Sequence, residues 1–131
     1  SETVSTERLS MSEETFHLPS IPPEDALAMV ASGRAELVDV RKSAARHASG
    51  ADLAGTRWHD PLTLGPGHPL TEARHPVIFF CVHGHEVSRF ACALLLVHGA
   101  DARYVEGGFA ALSRAGAKTV PLDAVPEAGE G

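Results

Sequence analysis

Apolar positions fall along this chain in two alternating rhythms. Short, mostly apolar runs stand at "AELVDV" (35–40), "VIFFC" (77–81) and "ARYV" (102–105) and read as strands. "VIFFC" is the clearest of them. It is short, aromatic and β-branched with no polar alternation, which suits a central parallel strand covered on both faces. Stretches with helical spacing lie between these runs. In "IPPEDALAMVASG", Ala26, Leu27, Met29 and Val30 supply an apolar face. Pro23 suits a first turn there, Glu24 and Asp25 favour the positive helix end, and Gly33 suits the closing cap. "EVSRFACALLLVHG" predicts a helix of about three turns closed by Gly99, and "GGFAALSRAG" another closed by Gly116.

Weaker signals fill the remainder. "RKSAARHASG" is a short helix or turn ending at Gly50, and "ADLAGTRW" a short strand. "HDPLTLGPGHPLTEARHP" carries four prolines and two glycines, which makes it a loop with one helical turn at "LTEAR". "KTVPL" is a last extended piece, and Thr15, Phe16 and Leu18 begin a short strand. Polar residues 1–19 and 123–131 predict a flexible arm and tail around one domain at 20–122. No internal repeat is evident. Strands alternating with helices imply an α/β fold: a single domain with a mostly parallel central sheet and helices on both faces.

Length and charge narrow the function. At 131 residues the chain is long enough for one real core. Its net charge of −6 argues against a nucleic-acid partner, which needs a basic stripe, and against a polybasic membrane anchor. The N-terminal stretch has no apolar segment of signal-peptide type, and no apolar run approaches the roughly 20 residues of a membrane span. Two cysteines do not make a disulfide framework, so a reducing, cytoplasmic location is expected.

The chemistry gathers around Cys81. It ends the buried strand, just ahead of a helix beginning near Glu86 or Val87. Open α/β sheets bind ligands at the carboxyl ends of their strands. Gly84 permits a tight loop, whose successive amides can form an anion nest, and the helix N-terminus adds positive potential at the same place. These features favour thiolate over thiol. The plain alternative is a buried, inert cysteine at a strand end.

The stretch resembles the active-site loop of rhodanese-type sulfurtransferases, especially single-domain forms with a C-x-H-G-x-x-x-S loop, through Cys81, His83, Gly84 and Ser88. "ELVDVR" (36–41) is similar to the family's first core strand and its D-V-R motif. "GADLAGT" (50–56) resembles a degraded G-H-I-x-G-A motif, and "YVEGGFAAL" (104–112) the last strand and its G-G-aromatic helix start. The resemblance implies that Cys81 takes a sulfane sulfur from a donor, holds it as a persulfide stabilised by loop amides, and yields it to cyanide or a thiol. It implies substrate contacts from Val82, His83, Gly84, His85, Glu86, Val87 and Ser88, and support of the loop by Asp39 and Arg41. It implies no metal and no organic cofactor. The expected partners are a small-molecule sulfur donor and a thiol or cyanide acceptor, with a protein thiol as a further option, in a monomer or weak dimer that engages neither nucleic acid nor membrane.

The loop departs from the pattern in carrying no Arg or Lys between Cys81 and Ser88. Glu86 either repels an anionic donor such as thiosulfate, in which case a neutral, glutathione or protein persulfide serves as well, or points outward at the helix start. A histidine near Cys81 would make activity depend on pH between about 5.5 and 7.5. His83 and His85 with Cys81 have the composition of a metal site, but at C-x-H-x-H spacing in a tight loop they need not converge. Near the degraded motif, the family's histidine is replaced by Ala51 or Asp52.

Other residues carry bland readings as well. Arg41 is either a strand-end charge partner or a cation at the site rim. Ser88 bonds the loop or the sulfur, or satisfies a free amide of the helix start. Cys92 reads as core, about 8–9 Å along the helix from its start and beyond disulfide reach. Trp58 receives no role. Two other functions compete. A phosphatase or arsenate reductase would need C-x5-R, and the sixth residue after Cys81 is Val87, with Arg89 two positions late. A non-catalytic or partner-dependent module, serving sulfur relay or redox regulation, remains open.

Overall fold

The computed structural model describes residues 18–83 and 86–122. The expected tail at 123–131 lies outside the described residues, as do all but the last two residues of the expected arm and the strand start at Thr15 and Phe16. Five parallel strands form the central sheet in the order β1-β6-β5-β2-β4. They are β1 (Ser20–Ile21), β2 (Glu36–Asp39), β4 (Arg57–Trp58), β5 (Val77–Phe80) and β6 (Ala102–Val105). The helices are α1 (Pro23–Ala31), α2 (Ser43–Ser49), α3 (Glu86–Val97) and α4 (Gly108–Arg114).

β5 lies in the middle because all four of its residues are apolar and buried. Side chains of a strand alternate between faces. Val77 and Phe79 accordingly enter one core with Ala91, Cys92 and Leu95 of α3, and Cys81 continues that register. Ile78 and Phe80 enter the opposite core with Ala26 of α1 and Leu112 of α4. The sheet is thus covered on both faces, as its apolar strands require. No helix among the described residues is long and apolar enough to cross a membrane.

The stretch expected as one strand at "ADLAGTRW" is two. Gly55, at φ 81°, turns the chain between β3 (Ala51–Leu53) and β4. β3 leaves the main sheet and pairs antiparallel with β7 (Thr119–Pro121). The proline-rich loop contains two short 3-10 turns, at Pro61–Thr63 and Pro69–Glu72, each capped by a side chain. The Asp60 carboxylate accepts from Leu62 N–H, and His68 Nδ1 accepts from Leu70 N–H.

Candidate active site

Register brings the site together. Asp39 of β2 pairs with Phe80 of β5, and Val40 N–H donates to Phe80 C=O at 2.9 Å. The turn at Arg41 and Lys42 therefore emerges beside Cys81, at the carboxyl edge of the sheet. A pocket of about 410 Å³ opens there, lined by Arg41, Lys42, Ala45, Cys81, Val82, His83, Glu86 and Val87. Cys81 is 5% exposed, a free thiol at the pocket floor. Its Sγ–H donates to Ser88 Oγ at 3.3 Å, from within the first turn of α3. With a thiolate the same hydroxyl can reverse and donate to sulfur.

Of the residues expected to contact substrate, Val82, His83, Glu86 and Val87 line this pocket. Ser88 is fully buried and meets the sulfur instead of lining the pocket. Gly84 and His85 lie outside the described residues. Glu86 is exposed, yet its position is on the pocket wall, at the positive end of α3. The loop lacks a cation, but exposed Lys42 from the segment after β2 lines the same pocket. Reading the loop alone misses it, although it directly follows the D-V-R triplet.

Asp39 and Arg41 are buried below the pocket in a four-membered ion network. Arg41 is 1% exposed, so its guanidinium is not a rim cation. Nε and Nη2 of Arg41 donate to both carboxylate oxygens of Asp39, at 3.1 and 2.7 Å to Oδ2, and Nη2 also donates to Asp52. Asp52 in turn accepts from Arg46 at 3.0 and 2.7 Å. Burial pushes the Asp39 carboxyl above its ordinary range, against the pull of Arg41. Both guanidinium groups also rest on aromatic rings, Arg41 over Phe109 at 4.6 Å and Arg46 over Trp58 at 4.8 Å. Trp58 Nε1–H donates to Arg41 C=O at 2.8 Å, a role its sequence position did not disclose. The network reaches Cys81 through Phe109, whose backbone N–H donates to Cys81 C=O at 2.8 Å.

Phe109 is delivered by the Gly107–Gly108 turn ahead of α4. Gly107 has φ 80°, and a Cβ there would meet Ala111 Cβ at 2.6 Å, so only glycine fits. Cys92 is a different kind of cysteine. It is wholly buried among Ala91, Leu95 and Phe79, and burial, aided by Asp101, pushes its thiol up to about 12.

The profile of the rhodanese-like domain matches residues 22–115. The chain belongs to this family. Solved structures agree on the fold. A rhodanese-related protein from Thermoplasma volcanium superposes with a TM-score of 0.65 at 22% identity, covering 78% of this chain and 97% of that one. Thiosulfate sulfurtransferase from Pseudomonas aeruginosa gives 0.66 at 20% identity, covering 80% of this chain and 20% of that much longer one. A Rhodopseudomonas palustris protein of unknown function, described as a possible tyrosine phosphatase, gives 0.65 at 21% identity, with 82% and 88% covered. No curated protein matches the chain in sequence. In this rhodanese-like domain, Cys81 directly follows the central strand β5, with the D-V-R segment beside it.

Proposed function

We propose that this rhodanese-like domain is a sulfurtransferase with Cys81 as its sulfur carrier. The observation that supports it best is a free cysteine lining an open pocket, beside first-turn residues Glu86 and Val87 of α3 and with its sulfur 3.3 Å from the Ser88 hydroxyl. The Cys81 thiolate attacks the sulfane sulfur of the donor. With thiosulfate, the S–S bond of the donor breaks and sulfite leaves with the electron pair, leaving a Cys81 persulfide. Cyanide or a thiolate then attacks the outer sulfur, and the Cys81 thiolate departs with its electron pair. Oxidation states balance over the two steps, so neither calls on an outside oxidant. The donor is thiosulfate or a low-molecular-weight or protein persulfide, and the reaction belongs to a thiol-reducing compartment such as the cytoplasm.

The phosphatase reading is weaker because the sixth residue after Cys81 is Val87, and the arginine that lines the pocket, Arg41, has its guanidinium bound to Asp39 and Asp52. Arg89, the nearest arginine after Cys81, holds its guanidinium over the Tyr104 ring at 5.9 Å. Thiocyanate production from thiosulfate or glutathione persulfide with cyanide tests the proposal. Cys81→Ser abolishes it, whereas Cys92→Ala retains most of it. Activity that survives in Cys81→Ser would refute the assignment. Transfer seen only with a protein donor would instead indicate a partner-dependent relay.

A further inference from the structure

Beyond the pocket that holds Cys81, a second cavity of about 730 Å³ continues along the first turn of α3. The two share Lys42, Glu86 and Val87 as lining, so they adjoin in a trough whose inner part holds Cys81. The walls of the outer part are mostly apolar: Ala44, Pro61, Leu62, Leu64, Val87 and Phe90. Leu62 is 91% exposed and Phe90 54%, although both are large and apolar. Neither side chain is needed by the core. Leu62 is held at the rim by the 3-10 turn at Pro61–Thr63, which the Asp60 carboxylate caps.

The contents of this trough are constrained at both ends. At the inner end lies the proposed sulfur carrier, so an occupant that reacts must place sulfur there. Along the outer part it meets aliphatic and aromatic carbon. Two carboxylates, Asp60 and Glu86, against one cation, Lys42, line this part, a balance that disfavours an anionic arm. The volume is that of a small-molecule site, of roughly 300–1,000 Å³. From Val87 to Phe90 the trough follows about one helical turn, near 5 Å of rise.

We propose that the sulfur acceptor is a low-molecular-weight thiol on an apolar, non-anionic arm, which lies in the trough between Val87 and the Leu62–Phe90 pair. This deepens the sulfurtransferase reading and rests on it. The acceptor thiolate attacks the outer sulfur of the Cys81 persulfide. A new S–S bond forms on the acceptor, the bond to Cys81 breaks, and the Cys81 thiolate leaves with the electron pair. The acceptor's thiol proton passes to solvent, and its product is a persulfide.

The test uses the full chain, loaded with sulfane sulfur by inorganic polysulfide and desalted. Discharge is followed with 2-mercaptoethanol, 4-mercaptobutanol and 6-mercaptohexanol, and with cyanide as an acceptor that has no arm. The second-order rate constant, corrected for each thiol's ionised fraction, rises roughly twofold to fourfold per added methylene. In Leu62→Ser and Phe90→Ser the ratio of the six-carbon to the two-carbon rate collapses toward one, each variant being normalised to its own cyanide rate. A series flat in arm length, or one equally steep in both variants, would overturn the proposal while leaving the sulfurtransferase reading intact. Failure of cyanide to release thiocyanate from the loaded protein would remove that reading, and this proposal with it.

Discussion

At the scale of the residue, the contrast between Cys81 and Cys92 carries the account. Both are buried, but one is against a hydroxyl in a pocket and the other is against hydrocarbon. Ser88→Ala removes the hydroxyl that meets Cys81 sulfur. A hydrogen bond to a charged group is worth about 1.5–3 kcal/mol, so sulfur uptake slows roughly tenfold or more, with circular dichroism unchanged. Stopped-flow measurement of persulfide formation reads this directly, and an unaltered rate would leave the hydroxyl a mere helix-start residue. Glu86 and Lys42 both line the pocket, with opposite charge. Glu86→Gln raises thiosulfate turnover about twofold to fivefold at low salt, and the gain shrinks as ionic strength rises. An equal gain with a neutral persulfide donor would show that the carboxylate acts otherwise than through charge. The place of Cys81 at the end of the central strand, just ahead of a helix, was legible in the sequence, because an apolar run and an apolar helical pattern flank it there. Lys42 was not, since it reaches the pocket through the pairing of β2 with β5.

At the scale of the element, the ion network and the proline-rich loop are where sequence reading stopped short. Alternation of apolar runs disclosed β2, β5, β6 and the helices around them. It could not disclose that Asp52 of β3 would lie between Arg41 and Arg46, because buried charges look like surface charges until a partner is placed. Asp52→Ala leaves two buried guanidinium groups short of a carboxylate. It should cost about 3–5 kcal/mol, read as a lowered midpoint in urea unfolding. A loss below about 1 kcal/mol would mean the network relaxes into water. The loop between β4 and β5 predicts a pH effect. Burial holds both His59 and His68 below the ordinary 6.5, and the two rings meet edge to face at 5.3 Å. The unfolded chain therefore binds protons more readily than the folded one. Their contribution is complete above about pH 6.5 and is lost as pH falls through the lowered folded values. Protonation also takes from His68 Nδ1 its role as acceptor for Leu70 N–H. The melting temperature should fall between pH 7.5 and 5.5, and His68→Asn, which keeps an acceptor without titrating, should recover part of that fall. A melting temperature with identical pH dependence in the variant would assign the effect elsewhere.

At the scale of the molecule, the parallel sheet converts spacing along the chain into proximity at one edge. The D-V-R turn, the cysteine loop and the double-glycine turn lie far apart in sequence. They meet because β2, β5 and β6 are neighbours, with Phe109 joining the buried network to the Cys81 carbonyl. The order of motifs made that architecture legible, while the depth of Arg41 and the use of Trp58 depended on how the layers close. The most direct measurement is the intact mass of the protein after incubation with thiosulfate, and separately with glutathione persulfide, followed by cyanide. The account predicts a gain of one sulfur that maps to Cys81, is absent from Cys81→Ser, and is removed by cyanide. No gain from either donor, or a sulfur that maps elsewhere, would contradict it.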